Sequence, residues 1–322
     1  MTPQQPENTP STWQQWMQHP QRQPLRRALF QIHLWSGIGL GLYIFFISVT
    51  GSVLVYRNEL YEIFTPQPYI SSSPGPALSD EALTAAAVQA HPGYRVIRLS
   101  RHYNPGFATD IWLENAGGDV RRRHFDPNTG EDVGSAVAVG IMLVSGLIEI
   151  HDNFLAGETG QNINGIGAMA VVLVAMTGLV IWWPGRQRWR RSLTLHKNVG
   201  WKRFNWDLHS MMGFWTFAFI MIFSLSGIYL CYPEHFHAWA DRTFEITDEN
   251  AGQRPIDRIL YWLAFSHFGR INGIGLFCDG PGLCDQATKA TWAVFGMAPA
   301  AMFITGTIMW WNRVLRRWLR RA

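Results

Sequence analysis

Four long apolar segments constrain this chain more than any other feature. They cover residues 29–56, 162–183, 206–232 and 288–311, and each reaches about 20 residues, the length that a helix needs to cross a bilayer. A fifth apolar segment, 136–150, is shorter and is followed by His151 and Asp152. It is predicted to lie at the membrane surface. The sequence therefore predicts a mainly α membrane protein with four transmembrane helices.

The distribution of charge predicts how these helices are oriented. Residues 1–28, 184–205 and 312–322 carry 15 of the 27 Lys and Arg residues. Because cytoplasmic loops are enriched in Lys and Arg, both termini and the basic loop are expected in the cytoplasm. The segments 57–134, 135–161 and 233–287 are then expected outside. These cations flank membrane spans, so they indicate sidedness and a lipid environment, not binding to nucleic acid.

The first external segment, 57–134, has the pattern of a small α/β domain. Ser79 precedes two acidic residues and is expected to cap a helix over 79–91. Three later stretches alternate as the strands of a half-buried antiparallel sheet do. They lead into FDPNTGE (125–131), in which Pro127 and Gly130 favour a turn. This ending resembles the closing signature of PepSY domains, which implies a PepSY-type extracytoplasmic domain.

The chain also contains an internal repeat. Residues 32–56 align without gaps on 208–232, INGIG recurs at 163–167 and 271–275, and TGLVIWW (177–183) recurs as TGTIMWW (305–311). Repeats this long rarely arise by chance. We therefore predict two copies of a two-span unit, with the PepSY-like domain inserted into the first. The residues shared by the aligned spans are His33/His209, Gly37/Gly213, Ser48/Ser224, Gly51/Gly227 and Tyr56/Tyr232, with Thr50 opposite Ser226.

Four histidines occupy matching positions in the two copies. His33 and His209 begin spans near the predicted cytoplasmic face. His151 and His267 each precede an INGIG segment near the external face. Two imidazoles at one depth on separate helices are what a b-type haem in a membrane bundle requires. The sequence therefore predicts two haem b groups, one held by each pair.

Glycines beside the first pair support this prediction. Gly37 and Gly213 lie four residues after His33 and His209, which places each glycine on the same helix face as its histidine. Glycine lets another group approach a helix closely, as a porphyrin plane would have to. No C-x-x-C-H motif is present, so covalent c-type attachment is excluded.

Several alternatives to these assignments stay open from the sequence. A histidine at the end of a span often bonds only to water or a lipid headgroup, and glycine in a span often serves helix packing. His196 is a secondary candidate that could replace or support His209. Asp152 and Asp207 could complete another kind of metal site or anchor the ligands from behind.

Two cysteines flank an external loop, FCDGPGLC. Cys278 and Cys284 are expected to form a disulfide, because an extracytoplasmic compartment is oxidising. A redox-active relay is the alternative, although the C-x5-C spacing is not a recognised redox motif.

From about residue 25 to 317 the chain resembles the PepSY-associated transmembrane family of bacterial inner-membrane proteins. The resemblance rests on the H-x3-G-x13-G spans, the FDPNTGE turn, the external histidines before INGIG and the TG-x3-WW span ends. The family includes iron-regulated proteins, and ferric-siderophore reductases that contain haem within the membrane. It implies an inner-membrane oxidoreductase that passes electrons to an external ferric siderophore or another ferric chelate.

The electron donor and other classes of function remain open at this point. Neither a Rossmann fingerprint nor a flavodoxin-like segment is visible, so electrons are expected from a separate donor, such as quinol or a soluble reductase. One competing function is a non-enzymatic scaffold whose PepSY domain binds or inhibits an external peptidase. Another is a transporter built from parallel repeats.

Overall fold

The computed structural model describes residues 11–18, 20–64, 70–73, 75–101, 106–244, 254–271 and 273–319. Most of these residues are helical, and the strands form two small antiparallel sheets. In chain order the elements are α1 (Thr12–Gln18), α2 (Pro24–Gly39), α3 (Gly41–Leu54), α4 (Arg57–Phe64), α5 (Asp80–Ala90), β1 (Tyr94–Ser100), β2 (Thr109–Asn115), β3 (Val120–Phe125), β4 (Asp132–Ser135), α6 (Val139–Asn153), α7 (Gly157–Trp182), α8 (Trp201–Cys231), α9 (Pro233–Thr243), α10 (Pro255–Phe268), β5 (Arg270–Ile271), β6 (Ile274–Gly275), α11 (Leu283–Trp310) and α12 (Arg316–Leu319).

Three helical stretches are long and apolar enough to cross a membrane: α7, α8 and Leu283–Leu315, which begins with α11. Helices α2 and α3 together form a fourth candidate, but they are bent by 61°. The predicted count of four spans therefore holds if this bent pair is one span. Helices α7, α8 and α11 begin about five residues before the predicted apolar segments, which start at 162, 206 and 288. Their first turns contain polar residues, which the apolar segments did not include.

The bend between α2 and α3 falls at Leu40, between two glycines. The second of them, Gly41, packs so closely on Phe303 that a Cβ atom there would lie 1.9 Å from Cε2 of the ring. A glycine is therefore needed for this contact. The sequence did not predict the bend, because residues 29–56 are apolar almost throughout and contain no proline.

The spanning helices pack as a bundle around α8. Helix α8 contacts both α7 and α11, while α2 packs on α7 and α3 packs on α11. Small polar side chains fill many of the buried positions, as is usual where helices approach closely in a membrane. They include Thr50, Ser52, Thr216, Ser224, Ser226 and Thr305.

The chain divides into two compact units, of which the smaller covers Arg57–Gly146. Its four strands form an antiparallel sheet in the order β1-β2-β3-β4, and its core contains Leu83, Ile111 and Phe125. The predicted capped helix is confirmed, because the side chain of Ser79 accepts a hydrogen bond from the Ala82 amide at the start of α5. The strand β4 was not predicted.

The FDPNTGE segment forms the tight turn that its sequence predicts. Asp126 is buried, and its Oδ1 accepts hydrogen bonds from the amides of Asn128 (2.8 Å) and Thr129 (3.0 Å). Gly130 has a φ of 73°, a left-handed conformation that favours glycine. The turn leads the chain from β3 into β4.

The two INGIG segments differ in structure, although the sequence aligned them. Residues 163–167 lie inside helix α7, whereas the second copy forms the hairpin β5–β6, with Asn272 outside the described residues. The hairpin is tied to the next helix, because the Gly275 amide donates to Asp285 Oδ1 (2.7 Å). The following loop contains Gly-Pro-Gly, which disfavours a helix, and Cys278 and Cys284 close it as a disulfide.

Candidate functional site: two facing pairs of histidines

The four repeat-related histidines meet in two pairs, each between different helices. His33 of α2 faces His209 of α8, with ring centres 6.4 Å apart and ring planes at 79°. His151 of α6 faces His267 of α10, with ring centres 6.2 Å apart and planes at 54°. Both pairs belong to the larger compact unit, which comprises the residues up to Tyr56 and from Leu147 onward.

The pairs lie towards opposite ends of the bundle. Helix α8 contributes to both, because it carries His209 near its start and Ser226, which bonds to His267, near its end. These two residues are 17 positions apart, which corresponds to about 26 Å along a helix. The two pairs are therefore separate candidate sites.

Each ring is fixed by a hydrogen bond from its Nδ1 atom to a hydroxyl group on a neighbouring helix. The second pair and His209 show the shortest contacts, of 2.8–2.9 Å. His33 also bonds to the carbonyl of Val174, at 3.0 Å. The four contacts are His33 with Thr177 (3.3 Å), His209 with Thr305 (2.8 Å), His151 with Thr50 (2.9 Å) and His267 with Ser226 (2.8 Å).

The same hydroxyl groups determine which ring nitrogen carries the proton. Each hydroxyl donates its own proton to a carbonyl four residues earlier in its helix, as Thr50 does to Phe46 (2.7 Å) and Thr305 to Ala301 (3.0 Å). The hydroxyl oxygen can then only accept from the imidazole, so Nδ1 is the protonated nitrogen of a neutral ring. Nε2 keeps its lone pair, and no protein partner for it is found within the described part of the chain.

A glycine lies behind every ring. In each case it directly follows the Ser or Thr that bonds Nδ1, and the ring Cε1 atom lies close to where its Cβ would be. A Cβ atom would crowd the ring at Gly51 and Gly178, whereas at Gly306 and Gly227 it would make an ordinary or nearly ordinary contact. The distances from this Cβ position to Cε1 are 2.8 Å at Gly51, 3.0 Å at Gly178, 3.4 Å at Gly306 and 3.9 Å at Gly227.

A short sequence pattern marks these anchors. Every predicted span contains a Ser/Thr-Gly dipeptide at an anchor position, at 50–51, 177–178, 226–227 and 305–306, and the first span contains a second one at 36–37. The repeat alignment included all four, but it gave them no role because a Thr-Gly pair in a span is also a common packing element. Their role becomes clear only when the histidine on the neighbouring helix is seen.

The second pair is held in place by the ends of its helices. After α6 ends, Phe154 and Leu155 adopt positive φ angles, and the side-chain amide of Asn164 donates to the carbonyl of His151 (2.8 Å). Helix α10 ends at Gly269, which has a φ of 67°. There the indole of Trp292 donates to the carbonyl of Ser266, next to His267 (2.8 Å). A hydrogen bond at the end of its helix therefore holds the backbone at or next to each histidine.

Burial keeps the second pair neutral. It lowers the pKa of both His151 and His267, because a charged ring would lose its hydration. Neither residue belongs to a spanning helix. Neutral imidazole is the form that binds a metal ion through a free ring nitrogen.

The first pair lies on the wall of a cavity of about 1390 Å³. The predicted glycines Gly37 and Gly213 also line it, and a Cβ atom on Gly37 would meet nothing within 4 Å. On Gly213 it would lie 3.1 Å from Met302 Cε. The space predicted beside Gly37 is therefore present, whereas Gly213 is partly covered.

His196 lines the same cavity but has a different partner. Its Nδ1 bonds to Asp207 Oδ2 at 2.9 Å, and this carboxylate also pairs with Arg203 at 2.9 Å. His209, in contrast, faces His33. Asp207 consequently anchors the secondary candidate rather than a member of the facing pairs.

The arrangement differs from that of common protein metal sites. Among the described residues, no group of three or more His, Cys, Asp or Glu side chains is positioned to hold a metal ion. Zinc sites use three or four such ligands. Paired imidazoles instead suit a metal whose remaining ligands come from a macrocycle.

The fold and site define a multi-helix membrane protein with histidines paired inside its bundle. The family model of the PepSY-associated TM region matches residues 30–255, more than two thirds of the chain. The chain therefore belongs to this family, as its motifs predicted. No curated protein matches it.

Proposed function

We propose that the protein is a haem-containing oxidoreductase of the bacterial inner membrane. It passes electrons from the cytoplasmic side or the quinol pool to a periplasmic ferric complex, such as a ferric siderophore, and so releases iron. The observation that supports this most strongly is the presence of two facing histidine pairs. In both, Nδ1 is anchored and Nε2 is left to bind a metal.

The spacing of the rings fits two axial ligands of one metal ion. A bond from a metal to an imidazole nitrogen is about 2.0–2.1 Å long, so two such bonds on opposite sides put the ring centres about 6 Å apart. The observed separations are 6.4 and 6.2 Å. His33 and His209 would hold one haem b, and His151 and His267 the other. When bound, haem supplies one-electron chemistry.

The residues that contact the four histidines would control the orientation and the basicity of their rings. The hydroxyls of Thr50, Thr177, Ser226 and Thr305 fix the tautomer and the rotation of each ring, and hydrogen bonding at Nδ1 makes Nε2 more basic. A more basic ligand stabilises the ferric state relative to the ferrous state. The glycines behind the rings set how far each ring can retreat from its partner.

The topology forms part of the proposal. Both termini and the loop 184–205 face the cytoplasm, where their Lys and Arg residues are expected, and residues 57–134 form a periplasmic PepSY-type domain. The four spans form two repeated two-span units. His33 reaches Thr177 on α7 as His209 reaches Thr305 on α11, which is the relation that the repeat requires. The first pair is then the inner pair and the second pair the outer one.

The chemistry at the periplasmic face needs little from the protein. One electron converts a ferric ion into a ferrous ion, and oxygen ligands of a chelate bind the softer ferrous ion less tightly. No bond is made or broken by a side chain, and no general acid or base is required. The role of the chain is to place two electron carriers across a hydrocarbon core about 30 Å thick.

Reconstituted liposomes would test this function. With dithionite trapped inside and ferric citrate outside, we expect the full-length protein to produce external ferrous iron, measured with a chromogenic ferrous chelator. Protein-free liposomes serve as the control. A haem-loaded protein that produces ferrous iron no faster than protein-free liposomes would overturn the proposed reaction.

A further inference from the structure

We infer that Arg26 and Lys202 anchor the two carboxylates of the inner haem in the cavity that His33 and His209 line. This inference rests on the proposed function, because it presupposes a haem between these histidines. It concerns how the group is held and oriented, with its carboxylates towards the cytoplasmic end of the cavity.

Arg26 and His33 lie on the same side of helix α2 and contact the same neighbouring helix. Arg26 Nη2 donates to the carbonyl of Ile181 (2.6 Å), and His33 Nδ1 to that of Val174 (3.0 Å). On each of the two helices the contacting residues are therefore seven positions apart, which is about 10.5 Å along the helix axis. A ligand held by both residues would therefore extend about 10.5 Å along this side of the helix.

Lys202 occupies the corresponding position in the second aligned span. It lies seven residues before His209 on α8, as Arg26 lies seven residues before His33 on α2. Both cations line the cavity. Two histidines and two cations thus follow the same spacing on two helices, which suits a ligand with two identical acidic arms.

Three polar side-chain atoms of cavity-wall residues are buried without a hydrogen-bond partner. Arg26 Nε, Trp182 Nε1 and Thr307 Oγ1 are buried, have no hydrogen-bond partner in the described structure, and belong to residues of the cavity wall. A buried donor left unpaired costs about 1–3 kcal/mol, so native proteins rarely keep one. Turning these side chains towards the cavity would let the acceptor oxygens of a ligand satisfy them.

The charge of the wall points to the same ligand. Seven Lys and Arg residues line the cavity, and no Asp or Glu does so within the described residues. The positive-inside rule explains cations in cytoplasmic loops. That rule also covers Arg26 in the first turn of helix α2, but it does not account for the burial of its Nε or for the contact of its Nη2 with the carbonyl of Ile181.

The test compares Arg26→Leu with Arg316→Leu, which removes an exposed arginine that does not line the cavity. The readout is the rate at which haem leaves the purified protein for apomyoglobin. Loss of a charge-assisted contact is expected to speed transfer of one haem by about 10-fold or more. Arg316→Leu and Arg26→Lys should change the rate of haem transfer little. Lys202→Leu combined with Arg26→Leu should give a larger effect than either change alone.

A modified ligand tests the inference without relying on a variant. Reconstitution of the wild-type apoprotein with haem dimethyl ester, which lacks the negative charges, should weaken retention at the inner site. In Arg26→Leu the difference between haem and its ester should shrink. Equal retention of haem and ester by the wild-type protein, or an Arg26→Leu protein that behaves as wild type, would overturn the inference. Absence of haem from the wild-type protein would instead overturn the proposed function.

Discussion

Replacing either His33 or His209 with alanine is expected to remove the same haem and leave the other in place. The two rings face each other at 6.4 Å, and each is anchored by its own threonine. Loss of one ligand leaves a single imidazole, which cannot supply both axial bonds. We expect each variant to retain about half of the wild-type haem, measured as the pyridine haemochromogen per purified chain.

His196→Ala provides the matched control for this prediction. His196 lines the same cavity, but its Nδ1 bonds to Asp207. This variant should keep the full haem content and the wild-type reduced spectrum. If His196→Ala loses a haem while His209→Ala keeps both, His196 is the ligand and the pairing of His33 with His209 is wrong.

Replacing His267 with alanine is expected to stop reduction of the external ferric chelate while the inner haem stays reducible. His267 and His151 face each other at 6.2 Å, and about 26 Å of helix α8 separates this pair from the inner one. Without the outer haem, electrons would have to cross a distance too long for efficient transfer. In the liposome assay the variant should fall to the rate of protein-free liposomes, and trapped dithionite should still reduce one haem.

Two glycine variants give a graded test of the same outer site. In Gly51→Ala the new Cβ would lie 2.8 Å from His151 Cε1, closer than real Cβ contacts, so the ring must shift. In Gly227→Ala the corresponding distance to His267 is 3.9 Å, an ordinary contact. We expect Gly51→Ala to lower outer-haem content and chelate reduction, and Gly227→Ala to retain both. Wild-type chelate reduction by His267→Ala with both haems present would contradict the outer assignment.

Much of the helical architecture could be predicted because lipid imposes simple requirements. Apolar stretches of sufficient length identified α7, α8 and α11, and the spacing of Ser79 before acidic residues identified α5. Both signals are local, so a single sequence is enough to read them. The pairing of His33 with His209 depended on the repeat alignment, which placed the two residues at equivalent depths.

The remaining features depended on contacts that the sequence does not encode locally. The bend at Leu40 arises where Gly41 packs against Phe303, which lies more than 260 residues away. The second INGIG segment forms a hairpin that is tied to Asp285 and followed by the loop closed by Cys278 and Cys284, whereas the first lies inside α7. Identical residues thus adopt different structures in different surroundings.

The anchors of the histidines show the same limitation at the site itself. Thr50 and Ser226 were aligned with each other, but only the structure shows that each accepts a hydrogen bond from a histidine on another helix. The protonation of Nδ1, and therefore the availability of Nε2, follows from those contacts. This information could not be obtained from spacing along the chain.

The haem content of the full-length purified protein tests the central claim most directly. Protein isolated from membranes in mild detergent, without added reductant, should contain two haem b groups per chain by pyridine haemochromogen assay and amino-acid analysis. Under the proposal each pair of imidazoles would occupy both sides of its iron, so the reduced spectrum should not change when carbon monoxide is added. A colourless protein that remains colourless after haem is supplied, or a haem that binds carbon monoxide readily, would contradict the account.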